Sequence, residues 1–174
     1  AYRNRRINKL LSEMSDITPR DMMEMQLDNY NLKAEESLPT FLSYLDTTSF
    51  TQSQRSAYRI LKSWDYENSI ESEGASYYEA WWDSIFPLVW DEMKNSKVAL
   101  DYPTTYITIK LIREKPENSF FDILETPEKE TAKEVVRQAF VKGVEKIETW
   151  KTEKKKEPHW ADYKDTFIAH LLQG

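Results

Sequence analysis

Scarcity of glycine constrains this chain more than any motif in it: 174 residues carry only 3, at Gly74, Gly143 and Gly174. Tight hairpin turns need residues that accept positive φ, and glycine is their main supplier. A sheet of many hairpins is therefore a poor fit, and the expected fold is mainly α, with helices joined by polar loops. Hydrophobic residues make up 40% of the chain and charged ones 31%, and 6 Trp, 10 Tyr and 7 Phe provide enough aromatic volume to fill a core. Such a chain folds rather than staying disordered. Its length suits one core, so residues 1–174 are expected to form a single helical domain or a piece of a larger helical body.

The formal charge is −6, from 30 acidic against 24 basic residues. That balance repels a phosphate backbone, and no nucleic-acid partner is expected. No apolar run approaches the roughly 20 residues of a membrane-spanning helix, so no membrane partner is expected, and no signal-peptide pattern opens the sequence. Absence of cysteine removes disulfides and thiolate chemistry, and fits cytosolic and exported proteins equally well.

Ile7, Leu10, Leu11 and Met14 recur at helical spacing and predict a short amphipathic helix entered through Arg3, Arg5 and Arg6. Three cations at a helix N-terminus oppose its dipole, so at least one is expected to find a partner beyond the helix. Thr18-Pro19-Arg20-Asp21 reads as cap, first-turn proline and acid, starting a helix predicted to run toward Glu36. Leu38-Pro39 predicts a break before another turn with Phe41, Leu42 and Leu45. Thr51 is expected to cap a helix that buries Ala57, Ile60, Leu61 and Trp64.

Residues 65–76 read as a loop, and Ser76 with Glu79 as the capping box of a following helix kinked at Pro87. Thr105 to Ile112 has strand composition in a helical neighbourhood, so a short irregular or strand-like stretch near 104–112 stays open beside a helix. Beyond Thr126-Pro127-Glu128, the positions Ala132, Val135, Val136, Ala139, Phe140, Val144 and Ile147 keep helical spacing for about four turns. Trp160 through Leu172 forms a last short element.

Most catalytic signatures are missing. A serine on a strained turn needs flanking glycines, as do phosphate-cradling loops, and the three glycines offer neither. His159 and His170 lack metal-ligand spacing and read as structural residues. Carboxylate pairs such as Asp16 with Asp21, or Asp91 with Glu92, are expected by chance among 30 acids. The tryptophans at helical spacing beside Ile and Leu read as core rather than as a binding groove. Arg3 alone has a functional reading that competes with a surface ion pair.

That reading comes from a resemblance. Arg3-Asn4-Arg5-Arg6-Ile7-Asn8-Lys9-Leu10-Leu11, then Thr18-Pro19-Arg20-Asp21-Met22 and Met25-Gln26-Leu27-Asp28, resembles a region of the large chain of penicillin acylases. There an R-x-x-x-I-x-x-L-L segment precedes an [ST]-x-x-D/Q helix start and a Q-x-D-x-x-S-like helix. Leu61-Lys62-Ser63-Trp64-Asp65 is similar to the family's L-x-x-W-D-G, with Tyr66 in place of its glycine. Trp160-Ala161-Asp162-Tyr163 and His170-Leu171 are similar to its W-x-x-x/H-P-L region.

The resemblance implies a self-cleaving N-terminal nucleophile hydrolase, periplasmic or secreted, that cleaves linear N-acyl amides with the first serine of its large chain. The serine's own α-amine acts as base, and an asparagine side chain with a backbone N–H forms the oxyanion hole. The nucleophile, that asparagine and most calcium ligands of such an enzyme would lie upstream of this segment, so no cofactor is expected within it. Its expected partners are the remainder of the large chain, the small chain and the N-acyl amide substrate. Arg3 aligns with an arginine that the family places beside the active site, an auxiliary cation near the nucleophile's amine; Arg5 and Arg6 have no such match and read as structural. The competing reading is a self-standing helical module that presents aromatic residues to a protein partner.

Overall fold

The computed structural model describes residues 2–94 and 97–166. Its order is α1 (Tyr2–Glu13), α2 (Pro19–Gln26), α3 (Leu32–Ser43), α4 (Gln52–Ser63), α5 (Glu73–Val89), α6 (Thr105–Glu114), α7 (Ala132–Lys154) and α8 (Trp160–Lys164), with single 3-10 turns at Thr47–Ser49, Asp91–Met93 and Ser119–Phe121. Among the described residues there is no strand, only an isolated antiparallel bridge between Tyr30 and Glu67. The fold is mainly α.

Local chemistry sets most helix starts. Thr18 and Asp21 close a reciprocal capping box with Pro19 inside the first turn, and Thr51 with Gln54 closes another at α4. Thr131 and Glu134 do the same for α7. The apolar positions predicted for α7, from Ala132 to Ile147, are all buried.

Three expectations need correction, and one open reading is settled. The helix begun at Thr18 does not reach Glu36: it ends at Gln26, and a new one starts at Leu32, where the Asn31 side chain accepts from the Ala34 N–H. Pro39 does not break α3, which runs on to Ser43, and α5 continues past Pro87 to Val89; both prolines are exposed. Helix α5 is capped by Ser72 rather than Ser76, which lies fully buried inside the helix. The 104–112 stretch is helical, because Thr108, Ile109 and Ile112 meet the core on one side of α6, and that burial outweighs their β-branched preference.

The core is centred on α5 and α7, with α3 and α4 against it. Trp81 lies 4.9 Å from Phe140 and 5.4 Å from Phe41, ring centre to ring centre, and its indole N–H donates to the Val136 carbonyl at 2.9 Å. Gly143 allows the two helices to touch: a Cβ there would stand 2.9 Å from the Trp81 Cα and N. Gly74 likewise meets the Trp64 ring. Glycine here serves close packing, since neither described glycine has positive φ.

Positive φ falls instead on Asp16, Tyr66, Lys155 and Asp165. Tyr66, at φ 68°, stands where the resembling motif has glycine. Its strain, about 1–2 kcal/mol for such a residue, is offset by packing on Trp64 and Tyr30 and by its carbonyl, which accepts from the Asn31 N–H at 2.8 Å.

Candidate functional site

Helix α1 has no fully buried residue; Ile7, Leu10 and Leu11 are half-buried, Tyr2 packs against the core, and much of the helix's hold on the body is ionic. All three entry arginines find partners beyond the helix. Arg5 forms a two-point ion pair with Glu36 of α3. Arg6, with a side chain only 15% exposed, donates from Nη2 to Asp28 Oδ1 at 2.6 Å and from Nε to both carboxylate oxygens at 3.1 Å. Its guanidinium also covers the Tyr30 ring at 4.2 Å. Hydrogen bonding to Asp28 raises the Arg6 guanidinium further above its ordinary pKa.

Arg3 differs from both. Its Nη1 donates to the Asp28 carbonyl at 2.8 Å and its Nη2 to the Met25 carbonyl at 3.1 Å, at the C-terminal end of α2. The carbonyls of a helix C-terminus carry the negative end of its dipole, so a cation there is favoured by the same effect that disfavours it at the start of α1. The Asp28 carboxylate is 3.7 Å away, and the Arg3 side chain stays 51% exposed. Two backbone bonds engage only part of a five-donor guanidinium fork.

The exposed part lines a cavity of about 280 Å³ between α1, the 30–33 segment and α8, with Tyr2, Arg6, Lys33, Trp160 and Lys164 in its wall. Tyr2 has a buried hydroxyl without a hydrogen-bond partner among the described residues. Burial, followed by the nearby Glu36, pushes its pKa to about 12, so the phenol is a neutral donor at physiological pH. Lys33 and Lys164 both bind Glu79, at 3.1 and 3.3 Å. Burial alone would raise Glu79, yet these two lysines together hold its carboxyl below the ordinary value. On the far side of Asp28, burial and then the Asp28 and Asp65 carboxylates push Glu67 up, with Arg6 opposing. A fixed, half-exposed cation suits a polar or negatively charged group entering the cavity.

The remaining candidates lie elsewhere. Asp21 is exposed and committed to capping, held below its ordinary pKa by hydrogen bonds from Thr18. His159 Nδ1 lies 3.0 Å from Glu71, and His170 falls outside the described residues. Trp81, Trp82 and Trp90 are core, whereas Trp160 reaches the cavity wall.

Asp91 and Glu92 are neighbours just beyond α5: Asp91 accepts from the Leu124 N–H at 2.9 Å, while its Oδ1 and Glu92 Oε2 are buried without a hydrogen-bond partner among the described residues. Burial, then Asp91 and Asp122, push the Glu92 carboxyl up. No cluster of His, Cys or carboxylates among the described residues is arranged to hold a metal ion, calcium included.

Sequence reasoning did not single out Asp28 or Tyr2; Asp28 stood in the quoted Q-x-D piece, but nothing local showed that two arginines 22 and 25 residues away converge on it.

No helix among the described residues is long and apolar enough to cross a membrane. Among curated proteins and solved structures, none matches the chain significantly. The family model described as penicillin amidase matches residues 1–174, the same stretch in which the ordered motifs and the arginine cluster lie, and the chain belongs to the penicillin amidase family.

Proposed function

We propose that this chain is the helical part of a penicillin-amidase-type hydrolase that cleaves linear N-acyl amides, and that Arg3 is its contribution to the chemistry. The observation that carries this reading is the position of Arg3: a half-exposed cation, fixed by two main-chain bonds, facing a cavity in a chain matched by the family along its whole length. The nucleophilic serine and the oxyanion donors come from residues outside this stretch. A fixed cation near the serine's α-amine disfavours the ammonium form and keeps the base neutral, and it orients polar groups of the substrate. In the same reading the precursor cleaves itself, the mature enzyme is exported, and any calcium is bound elsewhere in it.

The exposed apolar side chains of α2 support a larger assembly: Leu27 is 81% and Met23 67% exposed, and Ile17 and Met22 lie beside them. Such a patch is covered, in this reading, by the remainder of the large chain and by the small chain. In the complete enzyme, Arg3→Ala is expected to lower kcat/KM for an N-acyl amide by more than about tenfold with little change in Tm. Unchanged turnover would return Arg3 to the ion pairs of α1 and remove the observation on which the reading stands.

A further inference from the structure

Arg3 and Arg6 lie one turn apart on α1, and both reach the same residue. Arg3 takes the main-chain carbonyl of Asp28 at 2.8 Å and lies 3.7 Å from its carboxylate. Arg6 takes the carboxylate itself through three contacts of 2.6 to 3.1 Å. Two cations at this spacing repel one another unless an anion lies between them, and Asp28, with a side chain 13% exposed, is that anion. Arg6 is in turn immobilised on the Tyr30 ring, and the Asp28 N–H donates to the Met25 carbonyl at 3.3 Å, the same oxygen that receives Arg3 Nη2.

The cavity-facing cation is thus the last member of a chain of contacts that runs Tyr30, Arg6, Asp28, Arg3. We infer that Asp28 is the positioning residue of Arg3, with Arg6 as the cation that locks Asp28; this rests on the reading of Arg3 as the auxiliary cation of the hydrolase. Asp28 does not touch the reacting atoms. It places a long, rotamer-rich side chain in one geometry before substrate arrives, and removal of its charge leaves Arg3 and Arg6 facing each other unscreened. The loss should therefore appear in kcat more than in KM.

The test is a double-mutant cycle in the complete enzyme, with Arg3→Ala, Asp28→Asn and their combination assayed on one N-acyl amide. Asp28→Asn keeps the backbone carbonyl and the side-chain shape, and is expected to lower kcat about tenfold while leaving KM within about twofold. In the Arg3→Ala background the same change is expected to have almost no further effect. Asp28→Glu, which restores the charge, recovers most of the loss; Asp28→Ser, which also removes the charge, takes the place of Asp28→Asn in the cycle if the latter does not fold. Equal losses in both backgrounds would make Asp28 a structural residue and overturn the inference. An active Asp28→Asn beside an inactive Arg3→Ala would overturn it too, and leave the role of Arg3 standing. Full activity of Arg3→Ala would remove both.

Discussion

Where α5 meets α7, helix touches helix through Gly143 and a run of aromatic rings; where α1 meets α2 and α3, arginines reach across to carboxylates and carbonyls. The first contact is dry and insensitive to ionic conditions, because it consists of apolar area and close packing. The second has no fully buried residue on α1 and rests on charge. Two consequences follow from that difference. Stability resides in α5 and α7, whereas the placement of Arg3 resides in an element that salt and substitution can loosen without unfolding the rest.

The contrast can be broken at its strongest point first. Gly143→Ala puts a methyl 2.9 Å from the backbone of Trp81, which cannot rotate away as a side chain would. The expected cost is about 3 kcal/mol, read by denaturant unfolding of the chain; a loss of under about 1 kcal/mol would mean that the two helices are not in backbone contact.

The ionic side is addressed by Arg6→Gln. It removes the best-buried ion pair of α1 and should cost about 2 kcal/mol locally, which is an increase of about 30-fold in hydrogen exchange of α1 amides. Amides of α5 and α7 should keep their protection. Uniform loss of protection throughout the chain would merge the two regions into one cooperative unit.

The smallest effect concerns the charged pair at the end of the dry region. Glu92 has its folded pKa raised above the ordinary 4.5, so its contribution to stability is fully present below that value and is lost as pH rises through the raised one. Glu79, lowered between Lys33 and Lys164, has the opposite sign: its contribution is present above the ordinary value and lost as pH falls. Glu92→Gln is therefore expected to flatten the decline of stability above pH 4.5 and leave the acid limb unchanged, as measured by Tm across pH. A flattened acid limb instead would reverse the assignment of the two carboxylates.

Legibility from sequence follows the range of the interaction that decides each feature. The caps Thr18 and Thr51 and the buried face of α7 depend on residues three or four apart and are readable, although the capping box expected at Ser76 is not formed. The start of α5 was not. Gly74 looks like a turn former, but its role is to admit Trp64, a contact set by tertiary packing. Helix α6 was ambiguous for a related reason: its β-branched residues are helical because of what they pack against.

For the site, the surplus of cations at the entry to α1 correctly announced partners elsewhere. The identity of those partners, the Asp28 and Glu36 carboxylates and the Met25 and Asp28 carbonyls, depends on how α1 lies against α2 and α3, which no periodicity encodes. The glycine of the motif replaced by Tyr66 is a middle case: the substitution was visible, and the φ of 68° explains why a glycine suits the position.

Because Arg3 is anchored on main-chain oxygens, its location is indifferent to which side chain occupies position 25. Point substitutions can drift through α2, exposed Met22, Met23 and Leu27 among them, while the two acceptors stay where they are. A change in the length of the chain between residues 3 and 28 is another matter, since it shifts the end of α2 along its axis by about 1.5 Å per helical residue. The site is thus buffered against substitution at positions that supply only main chain and vulnerable to insertion and deletion, so descent within such a chain has to preserve the spacing between Arg3 and Asp28 together with Arg6 and Asp28 themselves.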